Sequence, residues 1–426
     1  MSRLQPVRGT ADLLPDSMAK HRLVIDAART ASAHYGFAEM ATPIFEFSEV
    51  FSRPLGASSD IVTKENYSFA DRGGEMLTLR PENTAGVVRA MISGGLTQSL
   101  PLRYFYAGPM FRYERPQKGR MRQFHQVGIE YLGPSDALAD AEIIACGARF
   151  LGALGVLDDC VLHLNSLGDT PSRQAYRTAL VEYLTGFSGQ LSADSQTRLA
   201  VNPLRILDSK DEGDRQILKD APQLQDYLND ISKAHFATVT KALDAADIAF
   251  IHDPLLVRGL DYYCHTAFEF VTTSLGAQGT VLGGGRYDGL AEMLGGPAVP
   301  GVGWAAGVER LAMLAGDAPQ NSPDVAVLAA DDSVEIAAFQ LAEELRNAGI
   351  DIDFPTSGAL GKKLKKAVKT GIRLAVIIGS DEQANNTVQL RNLGDGTQRE
   401  MPRDDALPRV IADALAGLIP PDMLAP

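Results

Sequence analysis

Residues Tyr104 to Leu132 read YFYAGPMFRYERPQKGRMRQFHQVGIEYL, and the way this stretch folds decides the architecture of the chain. Its ends, Tyr104 to Tyr113 and Arg122 to Leu132, carry aromatic and β-branched residues, while the middle is polar and basic and contains Pro116 and Gly119. The pattern predicts two extended segments joined by a loop, an antiparallel hairpin. Side chains alternate along a strand, so Arg122, Phe124, Gln126, Gly128 and Glu130 share one face, and Gln123, His125, Val127 and Ile129 share the other. An aromatic ring, an amide and a carboxylate beside a glycine make an odd core, and on spacing alone a solvated face explains them equally well. The cations in and beside the loop, Arg115, Lys118, Arg120 and Arg122, shift the balance toward phosphate recognition, with Arg112 and Glu114 on one face at the end of the partner strand.

Working outward, Val24, Ala28, Ala31 and Tyr35 recur at helical spacing over Met18 to Tyr35, and Gly36 offers a left-handed stop. Between about Leu167 and His252 the composition turns to Ala, Asp, Gln and Leu at helical spacing, which predicts a helical insertion. Tyr262 to Thr272 and Thr280 to Leu282 return to strand character, and Gly283, Gly284 and Gly285 mark backbone that must turn or approach something closely, with a tight turn near a ligand the better reading. Gly316 to Pro323 has the composition of a linker. Beyond it, a strand at Val325 to Ala329, a helical stripe from Val334 to Ala348, an alternating run from Ile350 to Phe354, a helix at Leu360 to Thr370 and a strand at Leu374 to Ile378 spell a small α/β domain. The reading is thus an α+β domain at about 1–322 with an antiparallel sheet and an insertion at about 167–252, then an α/β domain at about 323–426.

A chain of 426 residues is too long for one ordinary core, and its 45% hydrophobic and 22% charged residues suit a globular protein. Met1 to Thr10 lack the apolar core of a signal peptide and no later run is long enough to span a bilayer, so a cytoplasmic protein without membrane contact is expected. Cys146, Cys160 and Cys264 are too few and too scattered for a disulfide framework or a zinc knuckle. The net charge of −13 argues against a general nucleic-acid coat, although screening lets a local basic surface act independently of distant acids. His21, His34, His125, His163, His235, His252 and His265 show no ligand spacing, and no metal ligand set is predicted. Tyr104, Phe105 and Tyr106 read as core or interface.

Phe111-Arg112-Tyr113-Glu114 followed by Arg120-x-x-x-Phe124 resembles motif 2 of the class II aminoacyl-tRNA synthetases. Gly301-x-Gly303-x-x-x-Gly307-x-Glu309-Arg310 resembles their motif 3, and Pro43 within Thr42-Pro43-Ile44-Phe45-Glu46 resembles the proline of motif 1. Within that class, Leu256-Val257-Arg258-Gly259-Leu260-Asp261-Tyr262-Tyr263 and Gly284-Gly285-Arg286-Tyr287-Asp288-Gly289-Leu290 are similar to the two histidine-specific motifs of histidyl-tRNA synthetases. The resemblance runs from Arg8-Gly9-Thr10 through Asn202-Pro203-Leu204-Arg205 to the C-terminal domain. Asn83, in Arg80-Pro81-Glu82-Asn83-Thr84, departs from it, since bacterial members often carry glycine there.

The resemblance implies an ATP-dependent ligase that makes histidyl-adenylate and charges tRNA(His), working as a homodimer with ATP and Mg²⁺. It implies that Arg112 and Arg258 act on the α-phosphate, that Arg120 and Arg310 hold the outer phosphates, and that Phe124 and Glu114 hold adenine. In most class II enzymes a magnesium ion has the task that falls here to Arg258. Glu82, Thr84, Gln126, Glu130, Tyr262, Tyr263 and Tyr287 are implied around L-histidine, Gln117 at the tRNA acceptor end, and the C-terminal domain at the anticodon. Lys362, Lys366 and Lys369 lie on one helical face, which a solvated surface explains and which would also suit tRNA backbone contact. Two rival readings are a non-catalytic paralogue that senses histidine and a nicotinamide oxidoreductase. The first group typically lacks the C-terminal domain, and the second rests on a glycine spacing that does not fit.

Overall fold

The structure is a computed structural model that describes residues 3–55, 65–257, 262–276, 279–318 and 323–417. Its contacts divide the chain into two units, Met1–Ala318 and Pro319–Pro426. The first unit opens with helix α1 (Pro15–His34), whose first turn is preset by the fixed φ of Pro15 and which buries Val24, Ala28 and Ala31. There follow β1 (Ala38–Glu39), β2 (Phe45–Phe47), α2 (Glu49–Leu55), β3 (Tyr67–Ala70), β4 (Met76–Leu79) and α3 (Thr84–Ser93). The predicted hairpin is β5 (Leu102–Phe111) and β6 (Gln123–Leu132), paired antiparallel with Tyr106 opposite Gly128 and Tyr104 opposite Glu130.

Helix α4 (Ala137–Ala153) starts where the Asp136 carboxylate accepts from the Leu138 amide. After β7 (Cys160–Ser166), the predicted insertion contains α5 (Thr170–Thr185), α6 (Ala193–Val201), α7 (Glu212–Leu218) and α8 (Asp230–Ala245). Each is capped by a side chain of the residue before it: Asp169, Ser192, Asp211 and Asn229. The last predicted insertion residue, His252, instead belongs to a short edge strand, β8 (Ile251–His252), parallel to β7. Its isolation between a helix and a loop hides so short a strand from periodicity. The unit ends with β9 (Cys264–Thr272), β10 (Thr280–Arg286), α9 (Leu290–Met293), β11 (Gly301–Gly307) and α10 (Val308–Leu314).

Among the described residues the large sheet has the order β1-β5-β6-β11-β10-β9-β7-β8, antiparallel except at its two edges. One face is covered by α1, α4, α8 and α10 around Val127, Ile129, Phe268 and Trp304. Trp304 stacks on Phe150 of α4 at 5.7 Å and donates its indole N–H to the Ile143 carbonyl at 3.1 Å, which satisfies the single polar atom of a fully buried ring. The opposite face carries Tyr106, Met110, Tyr262, Tyr263 and Tyr287. A separate small sheet, β2-β4-β3, presents Phe45, Phe47 and Phe69 to the outside.

The glycine trio is not the tight turn that the sequence favoured but the close backbone approach that it left as the alternative. Gly283, Gly284 and Gly285 lie inside β10, paired to β9 and β11. A Cβ at Gly284 would overlap the Gly303 carbonyl and crowd Trp304, and one at Gly285 would overlap the Thr266 carbonyl and crowd the Tyr263 ring. The residues are small because neighbouring strands press on them, not because the chain reverses.

In the second unit, β12 (Val325–Ala329), α11 (Glu335–Asn347), β13 (Ile352–Asp353), α12 (Leu360–Lys369), β14 (Leu374–Ile378), α13 (Ser380–Asn385), β15 (Thr387–Asn392), β16 (Gln398–Pro402) and α14 (Leu407–Leu415) follow. The sheet order is β13-β12-β14-β15-β16, with the parallel trio β13-β12-β14 continued by two antiparallel strands. Every residue of β12 and β14 is buried, the continuous apolar run expected of strands covered on both faces.

Gly284→Ala should destabilise the first unit by about 3 kcal/mol, because a methyl group there meets backbone that cannot rotate away. Gly189→Ala, where nothing lies within 4 Å, should stay within about 0.5 kcal/mol. Urea titrations of both variants check this, and equal midpoints would contradict it.

Candidate active site

The polar face of β6 opens into a concave hollow lined by side chains from several separate elements. Glu82, Thr84, Arg112, Glu114, Arg120, Phe124, Gln126, Tyr262, Tyr263 and Arg310 line it, segments that the sequence separates by more than two hundred positions. Glu130 and Tyr287 lie under its floor, both almost wholly buried. Gln117 is exposed at the tip of the hairpin loop, where its backbone exchanges hydrogen bonds with Arg120. Arg258 lies outside the described residues.

The hollow has two ends. At one, three guanidinium groups gather. Arg112 donates through Nε to the Pro81 carbonyl at 2.9 Å, and its head lies 5.2 Å from the Phe124 ring centre. Arg120 Nε stands 2.7 Å from a Glu114 carboxylate oxygen, an ion pair without hydrogen-bond alignment. Arg310, at the start of α10, donates to the Gly119 and Thr280 carbonyls at 3.2 and 2.6 Å. Burial, and then the like charges of Arg120 and Arg112, weaken Arg310's hold on its proton. A guanidinium does not release that proton near neutral pH, so the repulsion is relieved by an anion placed among the three.

At the other end the groups are carboxylates and hydroxyls. Glu82 precedes α3 and accepts from the Thr84 and Ala85 amides at 2.5 and 3.1 Å, the free donors of a helix start. Burial pushes its pKa up, and those amides pull the other way. Glu130 accepts from the Thr84 hydroxyl at 2.6 Å, from Tyr106 at 3.4 Å and, closely, from Tyr287. Burial raises Glu130 to about 8, against the pull of those hydroxyls. Among the described residues, Gln126 Oε1 and the Tyr262 hydroxyl are buried polar atoms without a hydrogen-bond partner, and both residues line the hollow. Left so, each would carry a desolvation cost that a polar ligand removes.

Three residues escaped the sequence reading. Tyr106, read as core or interface, is buried in the core as expected, but it also reaches the hollow because it stands opposite Gly128, where any Cβ would overlap its phenol. The signal was present, since Tyr104, Tyr106, Met110 and Arg112 alternate onto one face. Glu309 was read only as part of a motif, but it fixes β6 to α10 by accepting from the His125 amide through both oxygens at 2.9 Å and pairing with the His125 ring at 2.9 Å. Phe124, Gln126 and Arg310 flank that clamp. His21 joins His125 and Glu309 with donor atoms inside 4.8 Å, a grouping that the histidine spacing did not suggest because α1 and α10 meet only in the fold. Asn83 fits its departure from the expected glycine: it is buried, and its side-chain oxygen accepts from the Thr42 hydroxyl at 2.5 Å and from Arg80 at 3.3 Å.

The family model for histidyl-tRNA synthetase matches residues 9–311, and one for an anticodon binding domain matches residues 324–413. The chain is similar to the histidine–tRNA ligase of Rhodospirillum rubrum, at 59% identity over 93% of this chain and 96% of that one. It is also similar to that of Gluconobacter oxydans, at 51% identity over 97% and 99%. Among solved structures, apo S. aureus histidyl-tRNA synthetase superposes with a TM-score of 0.81 at 33% identity, covering 96% of this chain and 99% of that one. With both units matched and the hollow built from the segments that carry the motifs, the chain belongs to the histidyl-tRNA synthetase family.

Proposed function

We propose that the hollow is where this chain activates L-histidine with ATP and hands the histidyl group to the 3′ end of tRNA(His). The observation that carries the reading is the adjacency of the arginine cluster to the buried carboxylate and hydroxyl cluster, which puts an anion site beside a site for a polar, hydrogen-bonding side chain. In the first step a histidine carboxylate oxygen attacks the α-phosphorus of ATP. A new P–O bond forms, the bond to the bridging oxygen breaks, and pyrophosphate leaves. Arg112, with Arg258, would neutralise the charge that grows on the non-bridging oxygens, and the Arg112 guanidinium, already held by the Pro81 carbonyl, needs no reorganisation to do so. Arg120 and Arg310 would hold the outer phosphates. Phe124 would stack under adenine while Glu114 accepts from its amino group.

Mg²⁺ enters with ATP as part of the substrate in this reading. Of the carboxylates lining the hollow, Glu82 is engaged by helix amides and Glu309 by His125, and Glu114 faces the Arg120 and Arg112 guanidiniums, whose like charge to a metal ion favours coordination by phosphate oxygens over a resident protein cage. For histidine, Glu82, Thr84 and Gln126 suit the ammonium group, and Glu130, Tyr287, Tyr262 and Tyr263 suit the imidazole. A pocket that hydrogen-bonds its substrate rejects analogues lacking those groups by roughly 10⁴-fold or more, so no separate editing site is needed. In the second step a hydroxyl of the terminal tRNA ribose attacks the histidyl carbonyl carbon and AMP leaves; exposed Gln117 on the hairpin tip is suited to touch the acceptor end.

The unit at 319–426 is proposed to bind the anticodon. Exposed Lys362, Lys366 and Lys369 on α12 support backbone contact there. A homodimer is supported by the outer face of the small sheet, where Phe45, Leu79 and Tyr67 form one cross-strand row and Phe47, Leu77 and Phe69 a second. Phe45 and Phe47 are 53% and 56% exposed, an apolar patch of the kind that marks an interface. Among the described residues no helix is long and apolar enough to cross a membrane, in keeping with a cytoplasmic site of action.

Arg258→Ala and Arg112→Ala should each lower histidine-dependent ATP–pyrophosphate exchange by at least about 10²-fold with the fold intact, and near-normal exchange in both would refute their roles. The pH dependence follows from Glu130. Its folded pKa, about 8, lies above its unfolded value, so the stability it contributes is full below about 4.5 and is lost as pH rises toward 8. For binding, free imidazole gains its proton below about 6.5, so between that pH and 8 the pocket and the ligand share one proton. The kcat/KM for histidine should therefore be bell-shaped with limbs near those two values, and Glu130→Gln should remove the alkaline limb; an unchanged alkaline limb in that variant would disprove the assignment. Light scattering should give twice the 45.7 kDa chain mass, falling to one chain when Phe47 and Phe69 are replaced by Glu. A monomeric parent protein would remove the dimer from the account.

A further inference from the structure

Away from the hollow, α4, α8, β9 and β10 converge on one buried ion pair. Arg286, the last residue of β10, and Asp140, in the first turn of α4, both have fully buried side chains. Arg286 Nε donates to Asp140 at 2.9 Å, and Nη2 contacts the same carboxylate closely and the Asp136 carbonyl at 3.2 Å. Nη1 donates to the Pro134 carbonyl at 2.8 Å and to Asp288 at 3.0 Å. All five N–H groups of the guanidinium thus have acceptors. Asp140 is saturated in turn, by His235 Nε2 of α8 at 2.7 Å and closely by the Thr266 hydroxyl of β9. Burial works to raise the Asp140 pKa, but His235 and Arg286 hold it below its ordinary range, so the pair stays charged.

A buried ion pair is a poor way to gain stability, since well-packed apolar residues do as well. Its distinctive property is direction: a guanidinium held at five points fixes the backbone on both sides. Here that backbone belongs to Tyr287. Its amide donates to the Gly301 carbonyl at 2.7 Å, and the Gly301 amide donates to Asp288, the second carboxylate on Arg286, at 3.2 Å. The Tyr287 ring passes over Gly301, where a Cβ would overlap it, and its hydroxyl ends on Glu130.

We propose that Asp140 is a positioning residue for the amino-acid end of the hollow: through Arg286 it sets the Tyr287 backbone and so aims the Tyr287 hydroxyl at Glu130. The proposal rests on the reading that Glu130 and Tyr287 receive the histidine side chain. Because His235 comes from the last helix of the insertion, that insertion shares the anchor of the histidine pocket, and Thr266 and His235 are secondary supports.

The test is histidine-dependent ATP–pyrophosphate exchange by the full chain carrying Asp140→Asn, Thr266→Val, Tyr287→Phe, Glu130→Gln or Asp140→Asn with Tyr287→Phe. Asp140→Asn should raise the KM for histidine by about tenfold, the effect of one misdirected hydrogen bond, while the KM for ATP stays within about twofold. Thr266→Val, which leaves the ion pair in place, should shift the histidine KM in the same direction by about threefold. The double variant should be no worse than Tyr287→Phe alone, because both changes act through one hydroxyl. Equal rises in the KM for histidine and ATP, or multiplication of the two single effects in the double variant, would overturn the proposal. If Asp140→Asn does not fold, Thr266→Val decides: an unchanged histidine KM overturns the proposal. Should Tyr287→Phe and Glu130→Gln leave the histidine KM unchanged, the pocket reading itself fails. If they raise it and neither Asp140→Asn nor Thr266→Val does, only the positioning role is lost.

Discussion

A carboxylate and several hydroxyls can sit on the face of a packed sheet only where neighbouring strands leave room for them. In this chain the room comes from missing Cβ atoms. Gly128 makes way for the Tyr106 phenol, Gly303 for the Glu130 carboxylate, and Gly301 for the Tyr287 ring. These glycines sit on β6 and β11, adjacent strands at the middle of the large sheet. With side chains there, Glu130 would have no place under the floor, and the hydroxyls of Thr84, Tyr106 and Tyr287 would have no common acceptor. The glycine rows are the constraint on which the polar pocket depends.

Removing side chains from the centre of a sheet weakens it, and the opposite face carries the compensation. Trp304, between Gly303 and Ala305 on β11, stacks on Phe150 and hydrogen-bonds α4, so the strand that is bare toward the hollow is heavily packed on its back. The Glu309–His125 clamp does the same for the neighbouring strand, locking β6 to α10 at the level where Phe124, Gln126 and Arg310 turn toward the hollow. Rigidity on one side thus permits a preorganised polar surface on the other. Preorganisation is what a phosphate-transfer site needs, since charge must be met by groups already in place.

How much of this was legible in the sequence depends on the range of the interaction. The hairpin, its two faces and its basic loop followed from alternation within thirty residues, and the strand and helix order from Val325 to Ile378 from local periodicity, whereas α13, β15, β16 and α14 beyond it were not read. The motif resemblances supplied the rest of the site, and the structure brings every described member of that set except Gln117 to the hollow or its floor. What the sequence hid was what lies across the strands. Gly283 to Gly285 look like a turn until β9 and β11 are placed beside them. Tyr106 reads as core, which it is, and its reach into the hollow shows only once Gly128 is set opposite. Asp140, Arg286, His235 and Thr266 have no pattern in common, and only the meeting of four elements makes them a network.

The central claim is that one hollow seats the nucleotide and the amino acid together, with phosphates among Arg112, Arg120 and Arg310 and the imidazole beside Glu130. A crystal structure of the chain with histidinol and ATP tests it most directly. The account predicts an imidazole nitrogen within hydrogen-bond distance of a Glu130 oxygen, adenine on the Phe124 ring and the α-phosphate at Arg112. Electron density placing either ligand elsewhere, or the imidazole against the arginines, would contradict it.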